Sequence, residues 1–227
     1  MLLLFAGNTL FSQACYGGSC YGGSGAPANE LGVRLAGLTN SSLAGGRFVP
    51  SQGLHLGMLS GIHYKRYQSV GAVRTQVGYV GYEVDEITDC PDCIRTDGKV
   101  SQWNFKVGYE VFTFFGPLEP YAGLDAVLSL GKYEGETFTY ATNPQEFREY
   151  TEVRNKRGFG VAPVAGLRCY LGPFISLGAE TTFEAMLYNR QTIVSDLNTE
   201  RSTINQQRNF YETTFHPVSW LSLNVLF

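Results

Sequence analysis

The chain has 227 residues, with 17 Lys plus Arg against 20 Asp plus Glu, so no basic surface for nucleic acid or another polyanion is implied. No continuous apolar run reaches the roughly 18 residues of a membrane-spanning helix. The 27 Gly, 15 Phe and 14 Tyr favour β structure with close backbone approaches instead.

Residues 1–14 have the pattern of a secretory signal. Leu2-Leu3-Leu4-Phe5-Ala6 begins a short apolar core, and Ser12-Gln13-Ala14 offers small residues for cleavage before Cys15. The segment lacks the Lys or Arg expected at its start, as a truncated start would leave it. Ser12 and Gln13 stand where a lipoprotein signal has Leu and a small residue, so simple cleavage is expected rather than lipidation of Cys15. Residues 15–29, opening with Cys15-Tyr16-Gly17-Gly18-Ser19-Cys20, are a Gly- and Cys-rich repeat of flexible composition.

From Glu30 onward the period is that of strands, with side chains alternating between two faces. The first strand sets Leu31, Val33 and Leu35 against Glu30, Gly32 and Arg34. The second sets Leu54, Leu56, Met58, Ile62 and Tyr64 against His55, Gly57, Gly61, His63 and Lys65. The third opposes Val73, Thr75, Val77 and Tyr79 to Arg74, Gln76 and Gly78. The fourth opposes Trp103, Phe105, Val107, Tyr109 and Val111 to Gln102, Asn104, Lys106, Gly108 and Glu110.

After the turn at Gly116-Pro117, the fifth alternates Ala122, Leu124, Ala126, Leu128 and Leu130 with Tyr121, Gly123, Asp125, Ser129 and Gly131. The sixth alternates Phe159, Val161, Ala165, Leu167 and Cys169 with Gly160, Ala162, Gly166, Arg168 and Tyr170. The seventh places Ile175, Leu177, Ala179, Thr181, Phe183 and Leu187 against Ser176, Gly178, Glu180, Thr182 and Glu184. The eighth closes with Leu221, Leu223, Val225 and Phe227 against Ser222 and Asn224.

Two regularities follow. Connections after odd strands are polar and long, with loops expected near 40–53, 85–98, 134–156 and 189–209, while the others are short. Every strand keeps one apolar face and one face of Gly and charge. A soluble barrel would place its apolar side chains in the lumen, whereas here the small and charged set suits a narrow interior and the large apolar set suits a lipid-facing wall. A sheet in hydrocarbon must close to satisfy its backbone, and eight strands can close. The expected fold is all-β: one eight-stranded antiparallel up-and-down transmembrane β-barrel over 30–227.

Phe159-Gly160-Val161-Ala162-Pro163-Val164-Ala165-Gly166-Leu167-Arg168, the turn Leu171-Gly172-Pro173 and the strand Phe174 to Glu180 resemble the penultimate hairpin of small bacterial outer-membrane barrels. Pro120-Tyr121-Ala122-Gly123-Leu124 is similar to the start of their fifth strand, and the terminal Phe227 resembles their closing strand. The resemblance, to the OmpX- and opacity-type eight-stranded family, covers residues 30–227. It implies a bacterial outer-membrane location, both chain ends in the periplasm and four long loops outside the cell. The implied partners are outer-membrane lipid and lipopolysaccharide, the barrel-assembly machinery that reads the last strand, and an extracellular ligand or envelope protein complex. It is specific for architecture and nearly silent about activity.

The inward set holds Arg34, Lys65, Arg74, Lys106 and Arg168 with Glu110, Asp125, Glu180 and Glu184. A paired-charge plug is favoured over a conducting lumen, because an unpaired buried charge costs far more than a paired one. Arg74 or Arg168 is expected to pair with Glu110 or Glu180. His216 near Ser219 and His63 beside Ser60 lack a nucleophile motif, so no enzyme is expected. Cys90 and Cys93 are candidates for a loop disulfide, Cys15 and Cys20 could pair similarly, and Cys169 is expected as an outward apolar filler. Neither a metal site nor a cofactor is indicated. Glu146, Arg148, Glu149, Glu152, Arg154 and Arg201 charge the outer loops, where binding usually resides. The expected role is structural or interaction-related; a narrow pore is the alternative, and a lipid-modifying enzyme is less favoured.

Overall fold

A computed structural model describes residues 15–16, 19–20, 28–36, 61–68, 71–87, 94–140, 147–196 and 203–227. Two short strands, β1 (Cys15–Tyr16) and β2 (Ser19–Cys20), pair as a ribbon that sets Cys15 opposite Cys20.

Eight longer strands follow: β3 (Asn29–Ala36), β4 (Gly61–Tyr67), β5 (Gly71–Ile87), β6 (Ile94–Phe112), β7 (Leu118–Tyr140), β8 (Phe147–Tyr170), β9 (Ile175–Asp196) and β10 (Thr203–Leu226). Each pairs antiparallel with its neighbours, and β10 returns to β3, closing the sheet into a barrel. Reciprocal backbone hydrogen bonds of 3.0 Å between Asn29 and Phe227 extend that seam. There is no helix among the described residues.

The expected alternation of faces is observed in the described part of all eight strands; Leu54, Leu56, Gly57 and Met58 of the second lie outside it. Leu31, Ile62, Val73, Val107, Leu124, Phe159, Leu177 and Leu223, one from each strand, point outward and are exposed. Their neighbours one residue away point inward and are largely buried. At several bulky inward residues the neighbouring strand places a glycine opposite. Gly108 faces Arg74 in register, and a Cβ there would meet Leu124 O at 2.3 Å. The register of β10 shifts between His216 and Trp220, around Pro217, whose missing N–H interrupts the ladder.

The long loops expected from the polar stretches are largely strand. Residues 85–87 and 94–98, 134–140 and 147–156, and 189–196 and 203–209 continue the β5–β6, β7–β8 and β9–β10 hairpins. Backbone pairing does not require an apolar face, and Thr, Val and Tyr favour strands even where both faces are polar. The expected signal (1–14), the first loop, His55, Ser60, Cys90 and Cys93, Glu146 and Arg201 lie outside the described residues.

Candidate functional site: the barrel interior

The interior is layered along the axis. At the end with short turns, Tyr67, Phe112, Phe114 and Tyr170 form a chain of ring contacts at 5.5 to 6.3 Å. These aromatics narrow the lumen, because the period of two aims each of them inward just before a turn.

Above them lies a charge cluster drawn from seven strands: Glu30 on β3, Lys65 on β4, Arg74 on β5, Glu110 on β6, Glu119 and Asp125 on β7, Arg168 on β8 and Glu180 on β9. Arg74 is fully buried and reaches three acids. Its Nη1 donates to Glu110 Oε2 at 3.0 Å. Its Nε lies 3.1 Å from Asp125 Oδ1 and its Nη2 2.7 Å from Glu180 Oε2, in ion-pair contact without hydrogen-bond alignment.

Arg168 serves the other side of the cluster. It donates to Glu110 Oε1 at 2.9 Å, lies 3.3 Å from Glu30 Oε2 through Nε, and pairs with Glu119 through Nη1. Lys65 Nζ donates to Glu110 at 3.0 Å and sits 3.7 Å from Glu30. Five carboxyl groups therefore share three basic side chains, and phenols supply further donors. Tyr67 donates to Glu30 at 2.8 Å, Tyr170 to Glu119 at 2.6 Å and Tyr121 to Glu180 at 3.2 Å. Removing charge from water is tolerated only with such dense pairing.

The expected pairing of Arg74 or Arg168 with Glu110 or Glu180 is realised through three of the four combinations. The nine lumen residues read from sequence all project inward. Arg34, Lys106 and Glu184 stand apart from the cluster, in the next layer. There Lys106 Nζ donates to Glu184 Oε1 at 2.7 Å, and His216 Nε2 lies 3.7 Å from Glu184 Oε2. Glu30, Glu119 and the three tyrosines were missing from the sequence-derived set. Each stands in phase with a residue that was included: Glu30 with Arg34, and Tyr121 with Asp125.

The His216–Ser219 pair is not assembled, and Ser60, the partner considered for His63, lies outside the described residues. The Ser219 hydroxyl shares a 2.7 Å hydrogen bond with Thr182 and donates to the Glu180 carbonyl at 3.1 Å. His63 Nε2 lies 3.1 Å from Glu30 within the buried cluster. Among the described residues no group of three or more His, Cys, Asp or Glu is arranged to hold a metal ion. Cys169 faces outward, opposite Leu118 and Leu177, and is unpaired by disulfide.

Beyond this layer Val127, Ala162, Met186 and Tyr188 pack together with Phe210 against them. Lys156 Nζ sits 3.6 Å from the Tyr188 ring centre and donates to Glu212 at 2.9 Å. Farther out, Arg154 pairs with Glu152 through two hydrogen bonds of 2.5 and 2.7 Å. No protein-family model matches the chain, and no curated protein or solved structure matches it.

Proposed function

We propose that the protein is a bacterial outer-membrane barrel with a side-chain-plugged lumen, acting as a wall and interaction protein through its outer hairpins. The observation that carries this reading is the inversion of polarity across the sheet. Val107 and Leu124 are each 56% exposed on the outside, whereas Arg74, Glu110 and Asp125 are 0% exposed inside. In water an apolar band on all eight strands would be a large association hazard; in a bilayer it is solvated.

Dimensions agree. The outward run of β7 from Leu118 to Leu130 covers roughly 40 Å of strand, or about 30 Å along the axis at a tilt near 40°. It then changes to Lys132, Glu134 and Glu136. Tyr79 and Trp103 stack at 4.8 Å beside Leu130, where an interfacial aromatic belt belongs.

The plug supports a non-conducting role, and the hairpins beyond the apolar band supply the surface for an extracellular ligand or an envelope partner. The test has two arms. Sucrose-gradient fractionation of expressing bacteria places the protein with outer membranes, and planar-bilayer recordings of the purified barrel show no stable open level. Recovery in the soluble fraction overturns the membrane reading. A large, stable conductance overturns the plug and restores the narrow-pore alternative.

A further inference from the structure

Above the plug, the described interior contains a chamber with roughly 70 Å³ of free space, lined by Arg34, Lys106, Glu184, Thr214, His216 and Trp220, among others. The acids around it are matched. Glu184 takes Lys106, Glu180 takes Arg74 and Glu212 takes Lys156. Arg34 differs. It is 7% exposed, and its Nη2 donates to the neutral Ser219 carbonyl at 2.5 Å. Its guanidinium lies 4.9 Å from the Trp220 ring centre, and among the described residues no carboxylate comes within 4 Å of it, the charges of Glu180 and Glu184 acting on it from farther off.

Two buried donors on these residues, Arg34 Nε and Trp220 Nε1, have no hydrogen-bond acceptor. A buried guanidinium Nε–H and a buried indole N–H without acceptors are each costly, and one group that brings acceptor oxygens answers both. A guanidinium recognises a planar carboxylate best. The free space accommodates a few water molecules or one acetate-sized anion.

We infer that this chamber is a binding site for a small carboxylate anion, held by Arg34 with Trp220 beside it. The plug closes the chamber from beneath, and Tyr188 and Glu212 line it toward the outer hairpins. The site requires the barrel interior but not the membrane assignment, so a test in detergent micelles can fail without touching that assignment.

The test uses the Trp103→Phe protein, in which Trp220 is the sole tryptophan. Sodium acetate, sodium chloride and neutral acetamide are titrated separately while Trp220 emission is followed. The expected result is a saturable change with acetate and none with acetamide. Arg34→Gln weakens it at least tenfold, and Arg34→Lys weakens it less. Thr214→Leu, which fills the chamber without altering charge, abolishes it and keeps the test available if Arg34→Gln does not fold. A non-saturating response to acetate, or an Arg34→Gln protein that binds as before, overturns the site. An equal saturable response to chloride overturns the carboxylate assignment.

Discussion

Arg74 on β5 meets Glu180 on β9 at 2.7 Å, although four steps separate these strands in either direction around the eight-stranded ring. The pair spans the lumen at its widest. Backbone hydrogen bonds join only neighbouring strands, so contacts of this kind alone couple opposite walls directly.

Replacing Arg74 by Met should therefore cost about 3–5 kcal/mol, because it leaves Glu110, Asp125 and Glu180 without their shared cation. Urea unfolding in detergent measures the loss. Adding Glu180→Gln and Asp125→Asn to that variant should recover a large part of it. If the triple variant is no more stable than Arg74→Met, charge compensation is not what holds the centre.

An exposed ion pair sets the contrast. Lys132 pairs with Glu134 on the outer surface of β7, with side chains 51% and 57% exposed. Lys132→Ala should change stability by less than about 1 kcal/mol. A larger effect in the same unfolding assay would mean that the outer hairpin is bound to the barrel more tightly than pairing of its strands implies.

The apolar wall gives the third expectation. Val107→Arg, near the middle of the outward band of β6, should cost about 2–4 kcal/mol when folding is measured into lipid vesicles. Arginine at Lys132, beyond the band, should cost almost nothing. Equal costs at both positions would show that no bilayer surrounds this face.

Gly108 offers a backbone test. A methyl group there would lie 2.1 Å from Asp125 Oδ1 and 2.3 Å from the Leu124 carbonyl. The carbonyl belongs to a paired strand and cannot step aside, so Gly108→Ala should destabilise by about 1–3 kcal/mol. Urea midpoints of the two proteins decide it.

Much of this interior is legible in the sequence, because alternation assigns a face to each residue without knowledge of its partner. Arg74 and Glu180 follow from that rule. Their meeting does not, since it depends on strand order and stagger around a closed ring. Tyr121 and Tyr170 show a second limit: alternation places them inward beside Asp125 and Arg168, but which carboxylate each hydroxyl reaches, Glu180 and Glu119, is set by the closed ring. The hairpin extensions show a third. Around Glu134 and Glu136 the outward face turns from apolar to charged while Tyr133 and Gly135 stay buried inside, so the stretch reads as a polar loop although its backbone pairing continues.

The seam between β3 and β10 joins the earliest and latest strands of the ring. A chain lacking either one would leave two raw edges rather than a slightly smaller cylinder. Loss of β3 would also remove Glu30, the acid through which Arg168 reaches that wall. Closure by β10 thus sets the walls that carry Glu30 and Glu180 on either side of one strand, although β10 itself adds no charge to the cluster.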